Sequence, residues 1–268
     1  MQYISKKYIK LPKRKKQSKK GDNGKVLVIG GSKDYVGAVA LAGLAALRTG
    51  VDWVTVAAPE KVAWSINSLS PDLVTKKLKG NYFSPKHINE IIKLSKKYDV
   101  ILIGNGIGTK TETKQFVKKI IRNIKKPLVI DADGIKSIKL QDVKFSILTP
   151  HKKEFEILLK NSKLSKNNFK KHLKNNMILL KGPVDQIMSA ERTYYNKTGN
   201  AGMTKAGTGD VLAGLAAGFL AQNHSLIQST INAAYFNGLI GDILLKKKKG
   251  FTYLASDMIR EIKKVLKT

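Results

Sequence analysis

Residues 25–50 read KVLVIGGSKDYVGAVALAGLAALRTG, and this stretch decides the fold class. Its apolar run from Lys25 to Gly30 is nearly continuous, as expected for a strand that is buried on both faces of a sheet. The segment from Gly37 to Arg48 is rich in Ala with Leu at helical spacing, and Gly50 is a natural helix stop. A second apolar run, Trp53 to Ala57, then completes a predicted β-α-β unit.

The same alternation of apolar runs and helix-like stretches continues along the chain. Further candidate strands are Val100 to Gly104, Pro127 to Asp131, Phe145 to Thr149 and Met177 to Lys181. After about residue 182, two short strand-like pieces follow (Gln186 to Ser189 and Thr193 to Asn196), and helices are expected from Asp210 onward. Repeated crossovers of this kind predict an α/β protein in which helices cover a central, mostly parallel sheet.

The composition fits one globular domain. The chain has 268 residues, of which 42% are apolar and 26% charged, enough to bury a substantial core. Residues 1–20 carry nine Lys and Arg and no acidic residue, so we predict a basic arm over 1–20 and a single domain over 21–268. The absence of Cys excludes disulfides, thiolate zinc sites and cysteine nucleophiles.

The apolar runs are too short for a membrane span. The longest, Ala38 to Leu47 and Val211 to Ala221, have 10 and 11 residues, against roughly 18 to 20 for a spanning helix. The N-terminal charges are not followed by the apolar run and cleavage site of a secretory signal. We therefore expect no membrane partner and a cytoplasmic location.

The charge balance is strongly basic, at 50 Lys and Arg against 19 Asp and Glu, a net +31. Lysine-dense stretches at 152–174 and 246–249 belong to a pattern spread over nearly every predicted helix, which is typical of ordinary surface residues. A nucleic-acid groove would instead gather Arg and exposed aromatics, and the five Arg do not cluster. We expect binding of nucleic acid only non-specifically and at low salt.

The strongest chemical signal is the segment 200–210, NAGMTKAGTGD. Its three glycines and a Thr lead into a helix whose first residues would be Gly209 and Asp210, so unpaired N–H groups and the positive end of the helix dipole meet there and favour a phosphate. Asp210 stands beside that phosphate, where it can take the proton from an attacking hydroxyl as catalytic base. The alternative, a helix-start acid that only complements the dipole, explains a lone Gly-Asp but not so many glycines.

Other predicted strands also end in glycine-rich or polar sequence, at one edge of a parallel sheet where such folds keep their sites. Glycines 104, 106 and 108 would let the backbone approach a ligand, although Thr109 stands where a dinucleotide-binding fingerprint needs its third glycine, and the chain has no P-loop. Gly30 and Gly31 fit either a tight turn with close packing or a ligand contact. His151 with Glu154 at the same edge favours ligand contact over a purely structural role.

Seven motifs occur along the chain in this order: Gly30-Gly-Ser, Gly104-x-Gly-x-Gly, Asp131-Ala-Asp-Gly, Thr149-Pro-His-x-x-Glu, Leu180-Lys-Gly, Gly199-Asn-x-Gly-Met and Gly207-Thr-Gly-Asp-Val-Leu-Ala-Gly. Together they resemble the motifs of the ADP/ATP-dependent NAD(P)H-hydrate dehydratases. The resemblance runs from about Gly21 to the C-terminus and implies a ribokinase-like three-layer α/β/α sandwich. The sequence departs from it at Asn105, where members often have Pro, and at Lys19, where they often have His.

The resemblance also implies which residues bind which ligand. Nucleotide-binding residues would be Lys181, Gly182, Pro183, Val184, Asp185, Gly207, Thr208 and Gly209. Residues in contact with the hydrate would be Ala38, Gly106, Gly108, His151 and Asp210. Glu154 matches an acid that related kinases place near magnesium-bound water. Mg²⁺ and ADP or ATP would then be cofactor and phosphoryl donor, with the S-form of hydrated NADH or NADPH (NADHX, NADPHX) as substrate.

The implied reaction is repair of the hydrated coenzyme: phosphorylation of its hydroxyl, then loss of phosphate to restore the dihydronicotinamide. ADP is favoured as donor because the chain is more similar to the bacterial and archaeal branch. The resemblance implies a homo-oligomer, a tetramer or larger. With 20 residues before the matching region, we expect any epimerase to be a separate protein. The alternatives are a vitamin or sugar kinase of the same fold and a nucleic-acid-binding protein on an enzyme scaffold.

Overall fold

The computed structural model describes residues 1–247 and 249–266. Lys248, within the lysine-dense stretch 246–249, and residues 267–268 of the predicted domain lie outside them. The described residues contain one sheet, whose strands in chain order are β1 (Gln2–Tyr3), β2 (Lys25–Ile29), β3 (Trp53–Pro59), β4 (Val74–Leu78), β5 (Val100–Ile103), β6 (Leu128–Ile130), β7 (Ser146–Leu148), β8 (Met177–Leu180), β9 (Asp185–Met188) and β10 (Thr193–Asn196).

The strands lie side by side in the order β1-β10-β9-β8-β7-β6-β5-β2-β3-β4. Seven neighbours from β4 to β8 run parallel, and β9 is antiparallel to both of its partners. The chain moves outward from β2 in one direction and from β5 in the other. The crevice between the carboxyl ends of β2 and β5 is therefore the topological switch point, where open α/β sheets bind ligands.

Helices cover both faces of the sheet, as predicted from the sequence. Those described are α1 (Val36–Arg48), α2 (Glu60–Leu69), α3 (Ile88–Ser95), α4 (Thr111–Asn123), α5 (Asp133–Lys136), α6 (Lys152–Ser162), α7 (Thr208–Ala221), α8 (Leu226–Lys247) and α9 (Ala255–Val265). Strand β2 divides its side chains between two cores: Val26 and Val28 pack with α1 and α7, whereas Leu27 and Ile29 pack with α3 and α4. The alternation explains why β2 is apolar at every position after Lys25.

Close packing of α1 on α7 brings two loops of the site together. At Gly214 of α7, an added Cβ would lie 2.2 Å from the carbonyl oxygen of Ala42, and at Gly218 it would lie 2.3 Å from Thr49 Oγ1. No side chain fits at such a distance, so the glycines allow the two helix backbones to touch. The loops that precede α1 and α7 are thereby held against the same end of the sheet.

The first 20 residues pack along the outside of this framework. Ile4 N donates to Tyr195 O of β10, and Gln228 and Asn232 of α8 donate side-chain amides to the carbonyls of Tyr8 and Lys10. Further on, Arg14 forms an ion pair with Asp52, which precedes β3. The segment thus crosses from the β10 edge of the sheet, over α8, to the amino end of β3.

Candidate functional site

Asp210 lies in the first turn of α7, after a sharp turn that only glycine accommodates well. Gly207 precedes the helix with φ of +95°, and a Cβ there would meet Ala255 and Leu41 at 2.8 Å. Thr208 Oγ1 donates to the carbonyls of Met203 and Lys205, which closes the turn. The first N–H groups of α7 therefore stand at the predicted phosphate position with the Asp210 carboxylate beside them.

A buried amide joins Asp210 to the sheet. Asn105 follows β5, and its Nδ2 donates to Asp210 Oδ1 at 2.7 Å and to Asp131 Oδ2 at 3.0 Å. Asp131 follows β6, and both it and Asn105 are buried. The carboxyl ends of two adjacent strands thus meet the start of α7 through one side chain.

Asp131 also anchors a cation. Its Oδ1 accepts hydrogen bonds from Thr149 Oγ1 at 2.7 Å and from Lys181 Nζ at 3.1 Å. The Lys181 Nζ lies 3.9 Å from Glu154 Oε2 as well. Asp131 and Glu154 therefore flank the ammonium group of Lys181, and Asp210 interacts with it electrostatically.

The environment changes the pKa of two of these groups in ways that suit proton transfer. Burial raises the pKa of Asp210 to about 7, and nearby Asp131 and Glu154 act in the same direction, while Asn105 and Lys181 oppose them. Burial alone would lower the pKa of Lys181, but Asp131, Glu154 and Asp210 hold it above its ordinary value. Near neutral pH the site therefore holds a lysine cation beside a carboxyl that can accept or release a proton.

The predicted hydrate-binding residues Ala38, Gly106 and Gly108 lie together. A Cβ added to Gly106, where φ is +61°, would come within 3.1 Å of the Ala38 Cβ, so the glycine loop rests on the start of α1. Gly108 N donates to Asp133 Oδ2 at 3.1 Å. A cleft of about 650 Å³ opens beside this loop, with Tyr35, Ile107 and Gly108 in its wall.

His151 has a clear local role in the structure. Its Nδ1 accepts from the backbone N–H groups of Lys153 and Glu154, while Glu154 Oε2 accepts from His151 N at 2.9 Å. The pair forms a capping box at the start of α6. Because the imidazole is half exposed, with 49% of the side chain accessible, a ligand can still reach it.

The predicted nucleotide-binding segment, Lys181 to Asp185, begins within the site and continues to the protein surface. Lys181 Nζ would be 3.4 Å from a Cβ at Gly209, so the lysine and the α7 turn are in contact. Lys181 also pairs in parallel with His151 across the end of the sheet. Gly182 and Pro183 are exposed, Val184 is half-buried, and Asp185 accepts from Gly182 N and from Asn196 Nδ2, which fixes the β8–β9 turn.

The donor set suits Mg²⁺ held mainly by phosphates and water. Among residues 1–247 and 249–266, no group of three or more His, Asp or Glu could hold a metal ion. The cation among the carboxylates is Lys181. Mg²⁺ commonly keeps several waters and takes one or two carboxylates plus substrate phosphates, which fits Glu154 acting through water.

Sequence reasoning did not include Asn105, Asp131 and Thr149 among the site residues, although Asn105 follows a predicted strand and Asp131 and Thr149 each end one. A carboxylate directly after a buried strand, as at Asp131, was the available signal. Asn105 stands between two glycines in a loop whose shape sequence alone does not give. The hydrogen bonds joining the three to Asp210 and Lys181 depend on the tertiary fold.

Comparisons with known proteins agree on one family. The model of a family described as NAD(P)H-hydrate dehydratase matches residues 26–264. A bifunctional NAD(P)H-hydrate repair enzyme of Methanocaldococcus jannaschii is 44% identical over 260 residues, which cover 96% of this chain and 51% of that protein. This chain thus spans about half the length of several curated relatives that it matches.

Two other proteins match over nearly their whole length. An ADP-dependent (S)-NAD(P)H-hydrate dehydratase of Nitrosopumilus maritimus is 35% identical over 270 residues, or 96% of this chain and 93% of that protein. The crystal structure of an ADP/ATP-dependent NAD(P)H-hydrate dehydratase from Bacillus subtilis, co-crystallised with ATP/Mg²⁺, superposes with a TM-score of 0.77 at 26% identity, covering 96% and 95% of the two chains. The predicted ribokinase-like fold is confirmed.

Proposed function

The chain belongs to the NAD(P)H-hydrate dehydratase family, and we propose that it dehydrates the S-form of NADHX and NADPHX back to NADH and NADPH, with ADP as phosphoryl donor. The observation that carries the proposal is the Asp210 carboxylate at the start of α7, whose pKa is raised to about 7 and which accepts a hydrogen bond from Asn105 at the end of β5. A base of that pKa suits deprotonation of a hydroxyl near neutral pH.

The chemistry requires that the hydrate hydroxyl become a good leaving group. In the hydrate, this hydroxyl is on the ring carbon next to nitrogen, so the nitrogen lone pair can expel it once it is a phosphate ester. We assign Asp210 to remove the hydroxyl proton while the oxygen attacks the terminal phosphoryl group of the nucleotide. Loss of phosphate and of a ring proton then restores the dihydronicotinamide.

The backbone and Lys181 have complementary roles in this scheme. The N–H groups of Ala206 to Gly209 face the transferring phosphoryl group and stabilise its charge. Lys181, in contact with Gly209, begins the segment through Asp185 that holds the nucleotide. Ala38, Gly106, Gly108 and His151 contact the hydrate. Mg²⁺, held by the nucleotide phosphates and through water by Glu154, would supply charge neutralisation.

Further parts of the proposal concern the molecule's surroundings. We propose that residues 21–268 act as one catalytic domain with residues 1–20 as a packed arm. We also propose a cytoplasmic homo-oligomer, a tetramer or larger. No helix within the described residues is both long and apolar enough to cross a membrane.

The direct test mixes the protein with hydrated NADH, Mg²⁺ and either ADP or ATP, and follows recovery of the dihydronicotinamide absorbance. Recovery with release of inorganic phosphate is expected, and faster with ADP than with ATP. A kinase of the same fold would instead leave a stable phosphate ester, which product analysis by mass spectrometry detects. No recovery with either donor would overturn the proposal in favour of that kinase.

Asp210→Asn isolates the proposed base. We expect turnover to fall by about 10²- to 10⁴-fold, the usual contribution of a positioned base, while the Kd for ADP changes little. Asp72→Asn is the matched control, because it removes the same charge from an exposed residue that is far from Asp210 in sequence. Near-normal turnover of Asp210→Asn would refute the assignment.

A further inference from the structure

The nitrogen and the oxygen of the Asn105 side-chain amide differ in their hydrogen bonding. Its Nδ2 donates two hydrogen bonds, to Asp210 at 2.7 Å and to Asp131 at 3.0 Å. Its Oδ1 is buried and has no hydrogen-bond partner among the residues that the structure describes. A buried carbonyl without a hydrogen-bond partner costs free energy. We therefore attribute the presence of an amide at this position to the two hydrogen bonds that its nitrogen donates.

The orientation of the amide is set by charge. Both of its neighbours on the nitrogen side are carboxylates, which accept hydrogen bonds when ionised and cannot donate them. Exchanging the amide nitrogen and oxygen would place a carbonyl oxygen against two carboxylate oxygens. The nitrogen therefore faces Asp131 and Asp210.

The backbone on either side of Asn105 is fixed, so the amide has little freedom to move. Gly31 N donates to Asn105 O at 2.9 Å, and Gly104 N donates to Ile29 O at 3.2 Å. Gly104 has φ of +123°, and a Cβ there would lie 2.0 Å from Asp131 O. Asn105 itself has none of its surface exposed. The end of β5 thus presents the amide between two carboxylates as a rigid group.

We propose that Asn105 is a positioning residue, whose amide favours the ionised form of the Asp210 carboxylate, aims it at the substrate hydroxyl and separates it from Asp131. This inference rests on the proposed function, because it takes Asp210 as the base. Asn105 does not contact the reacting atoms in this scheme; it acts through Asp210.

The charged groups near Asp210 come from different elements of the fold, and they shift the pKa of Asp210 in opposite directions. Asp131 at the end of β6 and Glu154 in α6 raise the pKa of Asp210, while Lys181 at the end of β8 lowers it. Lys181 is hydrogen-bonded to Asp131, so it is shared between acids. The hydrogen bond from Asn105 is the largest of the effects that lower the pKa of Asp210. Its removal should raise that pKa further.

The test compares wild type with Asn105→Leu, which removes both donors at similar volume, and Asn105→Asp, which keeps the shape and replaces donors by a third acid. In both variants we expect the acidic limb of the kcat profile to move up by about one pH unit, with kcat at pH 7 reduced several-fold and the KM for ADP little changed. Asn161→Leu is the matched control, because the Asn161 amide also donates twice, to the carbonyls of Lys136 and Ile138. It should lower the melting temperature without moving the pH profile.

A second measurement does not depend on turnover or on the proposed reaction. Titration of the Asp210 carboxyl by ¹³C NMR in the ligand-free protein should give a higher midpoint in Asn105→Leu than in wild type. An unchanged midpoint in that variant, or in Asn105→Asp if the leucine variant does not fold, would overturn the inference. Failure of the proposed function is distinct from this, since it would appear as inactivity of the wild-type protein.

Discussion

At the scale of single residues, ionisation of the candidate base Asp210 lowers the stability of the fold. Burial raises the pKa of Asp210 to about 7, from an ordinary value of 3.8, so the folded protein holds the proton more tightly than the unfolded chain does. The stabilisation from that proton is complete below about pH 3.8 and is lost as the pH rises through 7. Ionised Asp210 therefore destabilises the fold under the conditions in which it would act as a base.

Asp210→Asn should consequently stabilise the protein at alkaline pH. We expect its free energy of unfolding at pH 8 to exceed that of wild type by about 1–3 kcal/mol, because the buried charge is gone. The gain should be smaller at pH 5, where wild-type Asp210 is protonated in the folded state. Urea unfolding of both proteins at the two pH values measures the difference. A gain that is equal at both would contradict the raised pKa.

The sequence predicted Asp210 as a candidate base but not the partners that set its chemistry. A Gly-x-Gly-Asp turn at the start of a helix is a local pattern, and it is visible in the sequence. The hydrogen bond from Asn105 and the electrostatic interaction with Lys181 involve residues 105 and 29 positions from Asp210 (210 − 105 and 210 − 181). No local pattern encodes such contacts, so they required the structure. The catalytic role of Asp210 stays a prediction.

At the scale of elements, the contact between α1 and α7 fixes the geometry of the site. Gly214 brings the α7 backbone onto Ala42 of α1, so the loop before α1 and the turn before α7 keep a constant separation. The start of α1 carries Ala38 of the predicted hydrate site, and the turn before α7 carries Gly207 of the predicted phosphate site. The glycine thus serves packing, although it is within the motif that indicated nucleotide chemistry.

Two helical glycines give a matched pair of variants. Gly214→Ala should destabilise the protein by about 2–4 kcal/mol, because its Cβ would lie 2.2 Å from the Ala42 carbonyl oxygen and the helices must separate. Gly37→Ala is the control, since nothing lies within 4 Å of a Cβ there, and alanine is the better helix former. Its stability should be unchanged or slightly higher. Equal effects in chemical denaturation would argue against close backbone packing.

Strand prediction succeeded in the interior of the sheet and failed at both edges. Strands β2, β5 and β8 are covered on both faces, and their apolar runs were recognised within a residue or two. Edge strands β1 and β4 were missed. Strand β4 contains Lys76 and Lys77, and β1 has two exposed residues, so neither shows the apolar pattern of a buried strand.

At the scale of the whole molecule, Asp52 fastens the N-terminal segment to the sheet. Its carboxylate accepts from the backbone N–H groups of Gly21 and Asn23 and pairs with Arg14, and its side chain is only 5% exposed. Burial alone would raise the pKa of Asp52, but the hydrogen bonds from Asn23 and Gly21 and the Arg14 charge hold it below the ordinary 3.8. This contribution to stability is present above pH 3.8 and is lost as the pH falls through the folded-state pKa, opposite in sign to that of Asp210.

Asp52→Ala should cost about 2–3 kcal/mol at pH 7, because it leaves two backbone donors without their partner. Arg14→Ala should cost less than about 1 kcal/mol, since Arg14 is 60% exposed and water replaces its pairing. Urea unfolding at pH 7 gives both values, and the Asp52→Ala deficit should shrink below pH 3.8. A larger loss of stability for Arg14→Ala than for Asp52→Ala would assign the stabilisation to the ion pair instead.

The net charge of +31 predicts attraction to polyanions that depends on salt. Affinity for a double-stranded oligonucleotide of arbitrary sequence should be measurable near 20 mM salt and fall by at least about 100-fold near 150 mM, as counterion release requires. Fluorescence anisotropy at the two salt concentrations tests this. Tight, sequence-selective binding at the higher salt would favour the nucleic-acid-binding alternative.

The outermost strand pair joins residues that are synthesised far apart in time. Gln2 pairs with Tyr194 and Tyr3 with Tyr195, so β1 leaves the ribosome long before its partner exists. Until β10 has formed, nothing covers its outer edge, and an open strand edge can template association with other chains. The positive charges of Lys6 and Lys7, which follow β1, disfavour self-association of this segment before β10 has formed. The hydrogen bonds between β1 and β10 can therefore form only after the whole intervening chain has been translated.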